Sequence, residues 1–160
     1  MRATRLDYRK VMPAASRAMS ELECLVEASS LEPKLRELVK LRASQINGCA
    51  YGMDMHTKDA RAMGEDEQRL HLVAVWRDAP LFTHRERAAL AWTEALTLLP
   101  QTGAPDEVYE DMANEFDPSE RVALTLAVIA INGWNRLAVG FRQPVGEYVS
   151  HRQVELQAAQ

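Results

Sequence analysis

Residues 37–64 read ELVKLRASQINGCAYGMDMHTKDARAMG, and the punctuation inside this stretch sets the architecture. Leu38, Val39 and Leu41 continue a helical pattern from Leu35 to Ile46, which stops at Asn47-Gly48, a dipeptide that readily takes the positive φ angles of a turn. A second helix starts at or beside Cys49, runs through His56 to Met63, and ends at Gly64, a natural residue just past a helix terminus. A helical hairpin pivoting at Asn47-Gly48 is therefore the core unit.

The same signals extend outward. Pro33 fits the first turn of the hairpin's first helix, and an earlier helix covers Pro13 to Ser29 with Met19, Leu22 or Cys24, and Val26 on its apolar face. Beyond Gly64 a helix is expected from Asp66 to Trp76, ending before Asp78-Ala79-Pro80. Thr83 with Glu86 forms a capping box that opens a helix to Leu99, closed by Pro100. A short helix follows Pro105, and Asp117-Pro118-Ser119-Glu120 supplies cap, first-turn proline and N3 acid for the last. That last helix, Val122 to Phe141, is apolar almost all round, which places it centrally in a core or partly against a partner subunit. The tail VELQAAQ reads as frayed or as a short surface helix.

Composition agrees with an all-α fold of six to seven helices. The chain has 160 residues, 47% hydrophobic and 26% charged, the balance of one globular domain spanning 1–160 with tails at about 1–12 and 149–160. Counting 23 Ala and 18 Leu against 12 Val and 3 Ile, with 6% aromatics, leaves little to furnish a large sheet. A net charge of −4 with scattered Lys and Arg gives no footprint for nucleic acid. The apolar stretch from Val122 to Ile131 is about half the roughly 20 residues a membrane span needs. The basic N-terminus lacks the apolar segment of a secretory signal, and two cysteines make no disulfide framework, so a cytoplasmic protein is expected.

Chemistry concentrates around Cys49. Beside unpaired N–H groups at a helix start, its thiolate should be favoured. His56 lies two turns further on the same stripe, about 10 Å away, and the bridging position holds Gly52. Glu37 sits about as far before the turn as the helix around His56 lies after it, so the hairpin can pair the two. Equally, Glu37 has Lys34, Lys40 and Arg42 as helical neighbours and fits a solvated face. A carboxylate beside an imidazole can move protons.

The segment SQINGCAYGMDMHTKDARAMGE resembles the core motif of AhpD-like alkylhydroperoxidases in the carboxymuconolactone decarboxylase superfamily: a Glu, twelve positions later the first Cys of a Cys-x-x-Cys, then a His four after the second. Glu37, Cys49 and His56 fall at those offsets, and INGWNRLAVGFRQPVGEY is also similar, so the likeness runs from about residue 15 to 148. The resemblance implies an all-helical fold in trimers or hexamers and reduction of hydroperoxides by a cysteine pair, with no cofactor or metal. It assigns Cys49 the attacking thiolate, His56 the proton shuttle and Glu37 its orienting group. The departure is Gly52, where the family's second cysteine stands. Without it no disulfide forms inside the motif, and Cys49 would pass through a sulfenic acid regenerated by an external thiol. Two further readings are a non-catalytic or sensor descendant holding a small apolar ligand, and acid–base chemistry on a lactone or carboxylate.

The remaining candidates read as structure. Cys24, beside Leu22, Leu25 and Val26, is expected as a small buried hydrophobe. His71, His84 and His151 lack partners at ligand spacing, so no zinc site is expected. Met53, Met55 and Met63 fill core, Tyr51 lines the thiol pocket or packs between subunits, and Trp92 and Trp134 serve the core and subunit contacts.

Overall fold

The structure is a computed structural model and describes residues 3–150. Among these residues there are nine α-helices and no strand: α1 Tyr8–Val11, α2 Pro13–Glu27, α3 Pro33–Ile46, α4 Ala50–Ala62, α5 Glu67–Leu72, α6 His84–Thr97, α7 Leu99–Thr102, α8 Asp106–Glu115 and α9 Pro118–Phe141. The two beyond the expected number are single turns. Helix α1 lies in what reads as an N-terminal tail, and α7 begins where Pro100 was to end a helix; proline is tolerated in a first turn because its missing N–H has no partner there. The stretch after Gly64 is shorter than expected, with α5 passing into a 3₁₀ turn at Val73–Val75. Both expected capping boxes are present, at Thr83/Glu86 and Asp117/Glu120. The VELQAAQ tail and His151 lie outside the described residues.

Helix α3 is the hub, packing against α4, α6 and α9. Leu35 and Val39 face one apolar cluster with Trp92, Met112, Phe116, Leu124 and Val128, while Leu38 and Leu41 face another with Leu70, Val73, Trp76, Phe82 and Leu90. Every residue from Leu35 to Leu41 is buried, the charged Arg36, Glu37 and Lys40 included. Each charge is answered: Arg36 donates to the Val26 and Glu27 carbonyls at the end of α2, and Lys40 pairs with Glu23 at 2.6 Å.

Helix α9 is less central than its composition suggests. It passes the length and hydropathy test for a membrane-crossing helix, but half of its most apolar window is buried inside the fold, and Val122 and Ile129 remain more than half exposed. Cys24 is likewise exposed, because α2 buries Val26 and turns the Cys24–Leu25 edge outward. Trp92 is core, its indole N–H donating to Thr125 at 3.0 Å, whereas Trp134 borders a cavity.

Candidate functional site

The hairpin turn positions the site. Gly48 takes φ +62°, the left-handed conformation that makes glycine useful there, and the Asn47 amide donates to Asn132 of α9 at 3.0 Å. Cys49 then caps α4, its Sγ accepting the Gly52 N–H at 3.4 Å. Cys49 is buried, with 1% of its surface exposed, and burial pushes its thiol up more than the Gly52 and Tyr51 N–H groups pull it down. This runs against the expected thiolate bias, since desolvation outweighs the helix end.

Two turns along α4, the His56 Nδ1–H faces the Glu37 carboxylate at 2.8 Å, both side chains buried. Lys34, Lys40 and Arg42 go elsewhere, to the Gly64 carbonyl, Glu23 and Glu94, so the solvated-face reading of Glu37 fails. Burial pushes the Glu37 carboxyl up, but the His56 hydrogen bond and the charges of His56, Lys40 and Arg36 more than offset it, leaving it below the ordinary range. With Nδ1 engaged, Nε2 is the ring nitrogen left for chemistry.

His56 borders a cavity of about 350 Å³ whose apolar wall includes Trp134, Ile131 and Met55. Cys49 lines a different cavity, of about 690 Å³, beside Arg142 and Pro144; Tyr51 borders both. Of the three expected site residues, the fold therefore joins Glu37 and His56 in direct contact, while Cys49, two turns before His56, borders the neighbouring cavity. Met53 is exposed rather than core.

Position 52 is not a simple gap. A Cβ there would lie 2.4 Å from the Ser44 hydroxyl and 2.9 Å from Asn135 Oδ1, and Ser44 donates to that same Asn135 oxygen at 3.2 Å. The room a side chain would need is filled by polar groups from α3 and α9. Neither residue stands out by spacing; the available signal was two asparagines, Asn132 and Asn135, in the mostly apolar run of α9, a place where a buried amide needs a reason.

Asp59 and Tyr148 were also missed. Tyr148, on the segment after α9, donates its hydroxyl to both Asp59 oxygens at 2.9 and 3.0 Å. Burial, then the Asp59 hydrogen bond and charge, push its phenol far up. Lys58 holds the Tyr148 carbonyl and Asp54 the Gly146 N–H, so residues 146–148 strap over α4 behind His56. Glu37, His56 and Asp59 bring ligating atoms within 4.8 Å of one another, a set able to hold a divalent cation only by giving up hydrogen bonds that already satisfy them. His71, expected without a partner, has Glu67 at 3.3 Å one turn earlier.

The fold and the motif define an AhpD-like helical protein. Residues 13–95 match the carboxymuconolactone decarboxylase family, and the chain belongs to that family. An uncharacterized protein of Bacillus subtilis strain 168, YdfG, is 39% identical over 135 residues, covering 84% of this chain and 92% of YdfG. A crystal structure from Agrobacterium tumefaciens superposes with TM-score 0.88 and 46% identity, over 91% of this chain and all of that one; the protein is of unknown function, and its name proposes antioxidant defence as AhpD. The debrominase Bmp8, at 15% identity and TM-score 0.75 over 92% of this chain and 78% of its own, shares the fold.

Proposed function

We propose that this AhpD-like protein is an enzyme of proton transfer, with His56 as the base, Glu37 as its orienting partner, and a small carbonyl- or carboxylate-bearing molecule in the 350 Å³ cavity as substrate. One observation carries the reading: His56, held at Nδ1 by a buried carboxylate at 2.8 Å, borders a largely apolar cavity whose lining does not include the thiol. Nε2 would take a proton from the carbon beside the carbonyl, leaving an enolate, and return it after exchange; the Glu37 charge stabilises the imidazolium between the two steps. The test is deuterium uptake from D₂O into an unsaturated γ-lactone, followed by NMR. His56→Gln should slow uptake by about 10²- to 10⁴-fold, and Cys49→Ser should leave it unchanged. No uptake by the unaltered protein overturns the reading.

Reduction of hydroperoxides is the second reading, favoured by the two N–H groups aimed at Cys49 Sγ on the wall of its own cavity. Here the thiolate attacks the peroxide, the O–O bond breaks to give an alcohol and Cys49 sulfenic acid, and two equivalents of an external thiol return the cysteine with release of water and a disulfide. Peroxide consumption with dithiothreitol that vanishes in Cys49→Ser would establish it. Turnover in neither assay, with a saturable melting shift on adding a hydrophobic ligand, would favour the non-catalytic descendant. A cytoplasmic location and a homotrimer or hexamer belong to the same proposal.

A further inference from the structure

Three buried side-chain polar atoms among the described residues lack a hydrogen-bond partner, and two of them, Asn135 Nδ2 and Ser16 Oγ, belong to residues lining the cavity that His56 borders. Asn135 is 2% exposed. Its Oδ1 accepts from the Ser44 hydroxyl at 3.2 Å, and its Nδ2 has no partner among the described residues. This arrangement exists because position 52 is glycine: a Cβ there would press on both Ser44 Oγ and Asn135 Oδ1. A buried donor left unpaired is costly, and such a cost is tolerated where a ligand oxygen relieves it.

The charges around the cavity narrow the ligand. Lys40 is neutralised by Glu23 at 2.6 Å, Arg9 borders the cavity 5.8 Å from the centre of the Tyr8 ring, Glu27 also lines it, and the Glu37 carboxylate stands behind His56. The lining sets two carboxylates, Glu23 and Glu27, against two cations, Arg9 and Lys40, so it offers an anion no net positive charge, and its buried donors without a partner among the described residues are an amide and a hydroxyl. We infer that Asn135 Nδ2, assisted by Ser16 Oγ, holds the oxygen of an uncharged carbonyl compound in this cavity, its apolar body against Trp134 and Ile131. The inference rests on the proton-transfer reading of the same site and gives it a substrate class: a neutral ketone, ester or lactone whose polarised carbonyl makes the neighbouring C–H acidic enough for His56.

Acetophenone, ethylbenzene and benzoate form a matched probe set of similar size. Calorimetric titration should show acetophenone binding about tenfold more tightly than ethylbenzene, the worth of one net hydrogen bond, and benzoate more weakly than acetophenone. Asn135→Ala should erase the acetophenone preference while leaving ethylbenzene affinity unchanged, and Gly52→Ala should erase it by displacing the amide. In the unaltered protein the Asn135 side-chain ¹H–¹⁵N resonances should shift with acetophenone and not with ethylbenzene, which decides the matter even if the variants fail to fold. Equal affinities for acetophenone and ethylbenzene, an unchanged preference in Asn135→Ala, unmoved Asn135 resonances, or tighter binding of benzoate each overturn the inference. A preference that persists where no lactone exchange occurs would sink the proton-transfer reading alone; His56-dependent exchange without the preference would sink this inference alone.

Discussion

At the scale of single residues, Glu37 and Gly52 carry the most consequence. A carboxyl whose folded pKa lies below its unfolded value contributes stability that is fully present above the unfolded pKa, about 4.3, and is lost as pH falls through the folded one. Glu37→Gln should therefore flatten the acid side of the stability-versus-pH curve measured by urea unfolding between about pH 5 and 2; an unchanged slope would mean the His56 pair stabilises nothing. Gly52→Cys writes the family's second cysteine back into the motif, yet its Cβ meets two polar atoms at 2.4 and 2.9 Å. It should cost about 1–3 kcal/mol as overpacking, seen as a lower denaturation midpoint. Tyr148→Phe leaves the Asp59 carboxylate without its phenol donor and should cost about 1–3 kcal/mol, with no loss of apolar packing to confuse the result.

The elements were legible where local chemistry sets them. Thr83 and Asp117 cap α6 and α9 as the sequence indicates, each side chain accepting the N3 N–H. Thr83→Ala and Asp117→Ala should each cost about 1 kcal/mol, read as a shift in urea midpoint at constant slope. Helix α3 begins at Pro33 and ends at Ile46, within the hairpin reading. What hydrophobic patterning misjudged was depth. It placed α9 either centrally in the core or partly against a partner subunit because α9 is apolar, and gave no such place to α3, which has four charged residues from Lys34 to Lys40 yet is buried throughout from Leu35 to Leu41. Pattern recognition equates charge with solvent, and it fails where each buried charge finds a partner from a distant part of the chain: Glu23 for Lys40, His56 for Glu37, the end of α2 for Arg36.

Across the molecule, exposed apolar side chains are spread over several elements, and α9 carries three of them, Val122, Ile129 and Val139. The proposed self-association would find its apolar surface here. Ile129→Glu should lower the mass measured by analytical ultracentrifugation; an unchanged mass would place any interface elsewhere. Arg85 ties the fold together from α6, reaching Glu32 before α3, Glu120 on α9 and the Glu115 carbonyl while its guanidinium lies over the Phe116 ring.

By itself the sequence determined the helical class, most element boundaries and the turn at Asn47-Gly48, because each follows from short-range spacing, capping and helix rise; it allowed the pairing of Glu37 with His56 but left a solvated face for Glu37 equally open, and the fold chose between them. Only the tertiary structure decided that Cys49 faces a different cavity from His56, that its thiol is held up by burial, and that Ser44 and Asn135 fill the space above Gly52. Those outcomes depend on how α9 and the 146–148 strap close over α3 and α4, and on the desolvation this closure imposes, which no spacing along one chain segment encodes.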